Sequence, residues 1–163
     1  MIKGLHHSAY RCSDSEQTRQ FYEDFLGLPL VHALSIPDEN NPQCMMVLHT
    51  FFQMADASCL AFFEVPRMPF DFKAQHDFDL HIALEVPAEE LRGWYAKGQQ
   101  AGIETRGIVD HDFIESVYLR DPDGYVVELA SRREYHDDAM NPAMNAARAH
   151  LDEWQQLKKT RQN

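Results

Sequence analysis

Two histidines and two glutamates take matching places in two segments of the chain. His7 opens the first segment and Glu64 closes it, whereas His81 opens the second and Glu128 closes it. Imidazole and carboxylate are donors that first-row metal ions accept, and two histidines with one carboxylate suit non-haem Fe(II). A carboxylate inside a run as apolar as YVVELA also needs a partner, because an unpaired buried charge is costly. We therefore predict a metal site built from His7, His81 and Glu128, and leave open whether Glu64 is a fourth ligand.

Each of these residues also has an ordinary explanation when it is taken alone. A single histidine is more often structural than a metal ligand, and Glu64 or Glu128 could be a paired core carboxylate. The matching positions in two copies favour the metal site. His6 competes with His7 for the first position, and the match with His81 selects His7.

The elements that must position these residues form two copies of one module. Each copy opens with an alternating strand, continues with a helix that holds an aromatic pair, and reaches a glycine typical of a helix C-terminus. The predicted helices span about Ser15–Leu26 and Ala88–Ala101, and three strands follow each of them. We predict an α+β fold in which two βαβββ modules, about residues 1–66 and 78–133, form a curved mixed sheet around the metal.

The alternation of side chains across a strand places the polar residues of the second module together. His81 shares a face of its strand with Ala83, opposite an apolar face that should pack under the helix. Tyr118 shares a face with Ser116, and Glu128 lies opposite its apolar neighbours. The polar face should therefore line a cavity that holds His81, Tyr118 and Glu128.

Length and charge limit the class of protein and its partners. With 163 residues the chain suits one domain with a real core. The formal net charge of −11 argues against nucleic acid or an anionic membrane as a partner. The N-terminus lacks the apolar core of a signal peptide, and no apolar run approaches the roughly 20 residues of a membrane span. The odd number of cysteines, without a Cys-x-x-Cys pair, favours a reduced protein of the cytoplasm: Cys12, Cys44 and Cys59.

The C-terminal residues 134–163 form an extension outside the domain predicted for residues 1–133. A polar stretch is followed by Asn141-Pro142, where proline can take the first helical position. A helical periodicity then places apolar side chains on one face, namely Met144, Ala147, Leu151, Trp154 and Leu157. We predict a helix that packs on the domain or on a partner subunit.

Three segments of the chain resemble the vicinal oxygen chelate superfamily, the glyoxalase, bleomycin-resistance and ring-cleavage dioxygenase group. They are HHSAYRCSDSEQTRQFYEDFLGL, HIALEV and DPDGYVVELA, and the resemblance covers about residues 3–132. It implies paired βαβββ modules, a metal in the curved sheet, and usually a homodimer. In glyoxalase-type relatives a fourth metal ligand stands at the position of Glu64.

The second module also resembles the signature of extradiol ring-cleavage dioxygenases. The matching residues are Val109, His111, Val117, Tyr118, Asp121, Pro122, Gly124 and Glu128. The resemblance implies that Glu128 is an iron ligand together with His7 and His81. It also implies that His111 and Tyr118 hydrogen-bond the substrate and oxygen-derived groups. The acid–base histidine of that family maps onto His76, which lies closer to His81 than the family pattern suggests.

The number of protein ligands separates the functions that this resemblance allows. Three ligands leave about three positions on an octahedral Fe(II), enough for a catechol-like aromatic diol and O₂. Four ligands, with Glu64 included, suit a glyoxalase- or epimerase-like lyase or isomerase that uses Mn(II), Ni(II), Co(II) or Zn(II). A third class is a bleomycin-resistance-like protein that binds a ligand without catalysis. The intact donor set and the added His111 and Tyr118 favour the dioxygenase.

Overall fold

The computed structural model describes residues 1–37, 46–66, 68–73 and 76–161. The first module runs from strand to helix to three strands: β1 His7–Cys12, α1 Ser15–Arg19 with a π-helical continuation over Gln20–Phe25, β2 Leu30–Pro37, β3 Met46–Gln53 and β4 Cys59–Glu64. The second module repeats this order: β5 Ile82–Glu85, a 3₁₀ turn over Ala88–Glu90, α2 Leu91–Gln100, β6 Thr105–Asp110, β7 Ile114–Arg120 and β8 Val126–Arg132. Two helices follow, α3 His136–Met140 and α4 Ala147–Arg161.

Each module forms its own four-stranded mixed sheet with the same strand order. The orders are β1-β4-β3-β2 and β5-β8-β7-β6. The first strand of each module pairs in parallel with its last strand, whereas β2 with β3, β3 with β4 and β6 with β7 are antiparallel. The predicted α+β fold with two βαβββ modules is therefore confirmed, because the sequence repeat corresponds to a repeat of topology.

By its contacts the chain divides into two compact units. One contains Met1–His81 and Arg120–Val126, and the other contains Ile82–Leu119 and Val127–Asn163. The core of the first unit includes the fully buried rings of Tyr22, Phe52 and Phe62. The domain boundaries predicted from the sequence stay a prediction. Within the described ranges, no helix is both long and apolar enough to cross a membrane.

The C-terminal helix begins later than the sequence predicted. Residues after Asn141 form a turn, and α4 starts at Ala147, whose backbone N–H donates to the side-chain oxygen of Asn145 at 3.1 Å. The polar stretch before it contains a short helix, α3, that the periodicity did not indicate. The predicted start at Asn141-Pro142 is therefore wrong. Three apolar residues of α4 are about half exposed among the described residues: Leu151, Trp154 and Leu157.

The turn between β7 and β8 is held by one buried carboxylate. Asp121 accepts the backbone N–H groups of Asp123, Gly124 and Tyr125 on Oδ1, at 2.8–3.0 Å. Its Oδ2 accepts the hydroxyl of Tyr22, a residue of the π-helical segment, at 3.0 Å. Burial raises the pKa of Asp121 to about 6, although the hydrogen bonds to its carboxylate work in the opposite direction. Asp121 is thus both the anchor of the turn and a titrating group of the core.

This raised pKa predicts a specific pH dependence of stability. The folded protein holds a proton on Asp121 up to about pH 6, whereas an unfolded aspartate loses it near a pKa of about 3.9. Between these values the folded state binds more protons, so the stabilising contribution is full below about pH 4 and is lost as the pH rises through about 6. In urea denaturation, the free energy of unfolding should fall less between pH 4 and pH 7 in Asp121→Asn than in the parent chain. Identical pH profiles would contradict this prediction.

Gly98 is the point where α2 approaches β6 and β7. A Cβ at this position would stand 2.8 Å from Leu119 Cδ2 and closer still to the side chain of Thr105. Gly98→Ala should therefore lower the free energy of unfolding by about 1–3 kcal/mol, since overpacking outweighs the better helix propensity of alanine. Gly93→Ala on the same helix is the matched control. Nothing lies within 4 Å of its Cβ, so it should raise the free energy of unfolding by about 0.5–1 kcal/mol. If urea denaturation shows that both substitutions change the free energy of unfolding in the same direction, α2 does not approach β6 and β7 closely at Gly98.

Candidate functional site

The buried carboxylate of Glu128 on β8 receives two hydroxyl hydrogen bonds from β7. Ser116 Oγ donates to Glu128 Oε1 at 2.5 Å, and Tyr118 Oη donates to the same oxygen at 3.1 Å. The two donors lie on one face of β7 because side chains two residues apart point the same way, and β7 is the neighbour of β8 in the sheet. The acid in the apolar run YVVELA is therefore compensated by neighbouring hydroxyl groups, whether or not it binds a metal.

His111 extends this network toward solvent. Its Nε2 lies 2.6 Å from Tyr118 Oη, and the imidazole itself is exposed. In the tautomer with the proton on Nε2, the imidazole donates to the phenol oxygen while the phenol donates to Glu128. Burial raises the pKa of Tyr118, and the adjacent charge of Glu128 adds to this effect. Tyr118 therefore remains a neutral donor at physiological pH.

The turn between β6 and β7 positions His111. Asp112 takes a positive φ of 74°, and its backbone N–H is accepted by Asp110 Oδ1 at 2.8 Å. Tyr135, just before α3, donates its hydroxyl to Asp112 Oδ1 at 2.5 Å and also contacts the Asp112 carbonyl. The segment after the second module thus holds the turn that carries the imidazole.

Arg106 covers the ring of Tyr118 from the adjacent strand. The two residues are cross-strand partners of β6 and β7, and the guanidinium carbon lies 4.6 Å from the ring centroid. A cation over an aromatic face is attracted by the ring quadrupole. Its charge also lowers the pKa of Tyr118, as a smaller effect than burial. Arg106 therefore orients the phenol from the side.

The predicted ligands of the first unit take part in separate local contacts. His7 Nδ1 lies 2.7 Å from His6 Nδ1. His81 Nδ1 lies 3.1 Å from the Asp77 carbonyl, a contact of the kind that fixes the tautomer of a ligating histidine. Glu64 Oε2 accepts the backbone N–H of Ser15 at 2.7 Å, at the start of α1. Glu64 therefore serves the N-terminus of a helix.

His76 belongs to the turn that precedes His81. Its backbone N–H donates to Asp79 Oδ2 at 3.0 Å, its Nδ1 accepts the N–H of Phe78 at 3.1 Å, and its ring lies 4.5 Å from that of Phe78. These contacts give the imidazole a structural part in the turn. The acid–base role of His76 stays a prediction.

The metal prediction can be compared with the geometry of the donors. Their chemistry suits a first-row metal ion. Within the described ranges, however, no group of three or more histidine, cysteine, aspartate or glutamate side chains is placed to hold one. The ligand set His7, His81, Glu128 and Glu64 therefore stays a prediction.

Three contributors to the network around Tyr118 were not predicted as site residues. Ser116 was assigned to the face of Tyr118, and its contact with Glu128 could have been inferred from that face alone. Arg106 and Tyr135 carried no such signal, because strand pairing and the path of the chain after β8 decide their contacts. The free cysteines Cys12 and Cys59 are buried, whereas Cys44 lies outside the described residues.

Comparison with solved structures shows the fold. Fosfomycin resistance protein FosX from Listeria monocytogenes, solved with Mn(II) and sulfate, superposes with a TM-score of 0.62 at 20% identity, over 84% of this chain and 98% of that one. A glyoxalase/dioxygenase from Nostoc punctiforme gives a TM-score of 0.60 at 22% identity, over 81% and 92%. At these identities the likeness concerns the architecture alone.

Comparison of sequences leads to the family. The chain is 27% identical over 137 residues to "Putative ring-cleaving dioxygenase MhqA" from Bacillus subtilis (strain 168). The match covers 82% of this chain and 42% of that relative, so this chain corresponds to less than half of the longer protein. The sequence model of the Glyoxalase/Bleomycin resistance protein/Dioxygenase superfamily matches residues 4–129, most of the chain. The chain belongs to this superfamily.

Proposed function

We propose that this protein is a metal-dependent extradiol-type dioxygenase that opens a catechol-like aromatic ring with O₂. The observation that carries the proposal is the hydrogen-bonded series His111–Tyr118–Glu128, which joins the two residues that distinguish the ring-cleavage signature, His111 and Tyr118, to a proposed metal ligand. The name of the Bacillus subtilis relative, at 27% identity, supports the same reaction class.

The residues of this series suit proton handling beside a diol. Ring opening breaks a carbon–carbon bond next to one hydroxyl and places both oxygen atoms of O₂ in the product. His111 Nδ1, the ring nitrogen that does not contact Tyr118, would exchange a proton with a substrate hydroxyl, since imidazole is suited to proton exchange near neutral pH. Tyr118, held by Glu128 and Arg106, would keep that imidazole in one orientation.

The proposed cofactor is Fe(II), with His7, His81 and Glu128 as the proposed ligands. When bound, Fe(II) would supply the electronic coupling between the diol and O₂. Elemental analysis of the loaded protein measures this metal binding directly. We also propose a cytoplasmic homodimer, a state that sedimentation or light scattering would establish.

The reaction can be tested by anaerobic loading of the purified chain with Fe(II), followed by catechol or 2,3-dihydroxybiphenyl and air. We expect O₂ uptake, a yellow ring-fission product, and a stoichiometric metal content by elemental analysis. Mn(II), Ni(II), Co(II) and Zn(II) would be loaded in parallel. No ring-fission product across a panel of catechols, together with Ni(II)- or Zn(II)-dependent turnover of a thiol hemiacetal, would overturn the proposal.

The four-ligand alternative depends on Glu64. The contact of its carboxylate with the N–H of Ser15 gives this residue a structural role and supports the dioxygenase over a lyase or isomerase. A binder without catalysis would instead retain a ligand and show no turnover with any of the five metals.

Tyr118→Phe tests the series without removing a proposed ligand. Loss of the hydroxyl breaks both the contact with His111 and the one with Glu128. Ring cleavage should fall by about 100-fold, the scale of one acid–base contribution, while the iron content stays unchanged. Tyr95→Phe, the same change on α2, should retain parent activity. Loss of iron in Tyr118→Phe would contradict the assigned role, because it would make the tyrosine part of the metal site.

A further inference from the structure

A cavity of about 500 Å³ lies in the first unit, and none of the residues proposed above to act in ring cleavage is among its described lining residues. This volume falls within the roughly 300–1,000 Å³ of small-molecule sites. Its walls come from β1, from the segment that follows β4, and from the turn after β7. The cavity is therefore a candidate binding site in its own right.

One wall of the cavity is aromatic. Phe70, Phe72 and Tyr125 are half-buried, and the ring of Phe72 meets that of Tyr125 edge to face at 5.1 Å between centroids. Gly124, with a φ of +105°, approaches Phe72 so closely that a Cβ would stand 3.2 Å from the ring. Phe72 therefore packs directly on the backbone of Gly124, and the three rings offer surface for a planar apolar ring.

Arg11 on β1 lines the same cavity and has an unsatisfied donor. Its Nε is buried and finds no hydrogen-bond partner among the residues that the structure describes. The two terminal nitrogens donate to Met68, to Sδ at 2.9 Å and to the carbonyl at 3.0 Å, and the guanidinium lies 6.0 Å from the Phe70 ring centroid. A buried donor without a partner calls for an explanation, and the common partner of a guanidinium is a carboxylate.

The charge of the lining is positive in an acidic protein. Arg11 and Lys73 contribute cations, and Asp71 contributes one carboxylate, whereas the whole chain has a formal net charge of −11. Across the described part of the chain neither cation forms an ion pair with an acidic residue. An anion would thus meet two available positive charges next to the aromatic wall.

We propose that this cavity, the Arg11 pocket, binds a small aromatic carboxylate. Its ring would pack against Phe70, Phe72 and Tyr125, and its carboxylate would accept hydrogen bonds from Arg11, with Lys73 adding charge at the rim. The proposal does not depend on ring cleavage, because binding is measured without metal and without turnover.

The test is isothermal titration of the full chain with benzoate, compared with neutral benzamide and with non-aromatic cyclohexanecarboxylate. We expect saturable one-to-one binding of benzoate and binding at least about tenfold weaker for both analogues, since each lacks one half of the recognition. Arg11→Met should weaken benzoate binding at least about tenfold, because it keeps the aliphatic chain and removes the guanidinium. The benzoate affinity of Arg11→Lys should lie between those of the parent chain and Arg11→Met, since lysine retains the charge but lacks the planar guanidinium.

Arg148→Met on α4 is the matched control, an exposed arginine paired with Asp152, and it should bind benzoate like the parent chain. Thermal unfolding of each variant shows whether it is folded. No saturable benzoate binding by the parent chain, or unchanged binding by a folded Arg11→Met variant, would overturn the site. If benzamide binds as tightly as benzoate, the site does not recognise the carboxylate. If cyclohexanecarboxylate binds as tightly as benzoate, the site does not recognise the aromatic ring.

Discussion

Glu128→Gln should abolish ring cleavage while leaving the fold intact. Glutamine retains the oxygen that accepts from Ser116 and Tyr118, so both hydroxyl groups keep a partner in the interior. What disappears is the negative charge, which a proposed metal ligand needs and which Tyr118 faces in the parent chain. We expect turnover to fall at least about a thousandfold, equivalent to about 4 kcal/mol of transition-state stabilisation.

Three measurements separate this result from simple unfolding. O₂ uptake with catechol gives the activity, elemental analysis gives the iron content, and urea denaturation gives the free energy of unfolding. Iron content should fall with activity, and the free energy of unfolding should change by less than about 1 kcal/mol. Glu85→Gln on β5 is the control, since Glu85 forms an exposed ion pair with Arg132 at 2.8 Å and such pairs contribute little. Full activity and full iron content in Glu128→Gln would remove this residue from the proposed site.

Asp121→Ala should be the most destabilising single change in the turn that precedes β8. The alanine leaves the backbone N–H groups of Asp123 and Tyr125 and the hydroxyl of Tyr22 without their acceptor, whereas the Gly124 N–H keeps its second acceptor, the Asp121 carbonyl at 3.1 Å. Tyr22 is fully buried, so its hydroxyl cannot turn to water. Each unsatisfied buried donor costs about 1–3 kcal/mol, and we expect a loss of about 3 kcal/mol or more in urea denaturation at pH 7.

A double-mutant cycle identifies the source of this loss. In Tyr22→Phe the hydroxyl is absent, so adding Asp121→Ala to it should cost at least about 1 kcal/mol less than in the parent chain. Asp123→Ala, the same type of change two residues later, removes one exposed bond to the N–H of Ser13 and should cost about 1 kcal/mol or less. Strict additivity of Tyr22→Phe and Asp121→Ala would mean that the buried hydroxyl does not depend on Asp121.

The network at Glu128 was predictable as far as strand alternation reaches. Tyr118 and Ser116 were placed on one face of β7, and both side chains donate to Glu128. Strand alternation could not predict the contact of His111 with Tyr118, because His111 lies in the turn between β6 and β7. There the positive φ of Asp112 and the hydroxyl of Tyr135 decide where the imidazole lies.

The C-terminal helix shows how a local pattern fails at its ends. The apolar periodicity after Asn141 was consistent with a helix from Pro142 onward. The side chain of Asn145 instead accepts the N–H of Ala147 and donates to the carbonyl of Ala139, so the turn before α4 competes with helix. Periodicity identified the helix but not its first residue.

By itself the sequence determined the two modules, their strand and helix order, and the shared face of Ser116 and Tyr118. These follow from hydrophobic periods of two and 3.6 residues and from an internal repeat. All of these patterns can be recognised in the order of the residues alone. Only the tertiary structure decided that Glu64 accepts the N–H at the start of α1 and that Arg106 lies over Tyr118. It also decided that the Arg11 Nε, beside an aromatic cavity, has no hydrogen-bond partner among the described residues. Such contacts join residues far apart in the chain, and their geometry depends on strand pairing and turn conformation that no local pattern encodes.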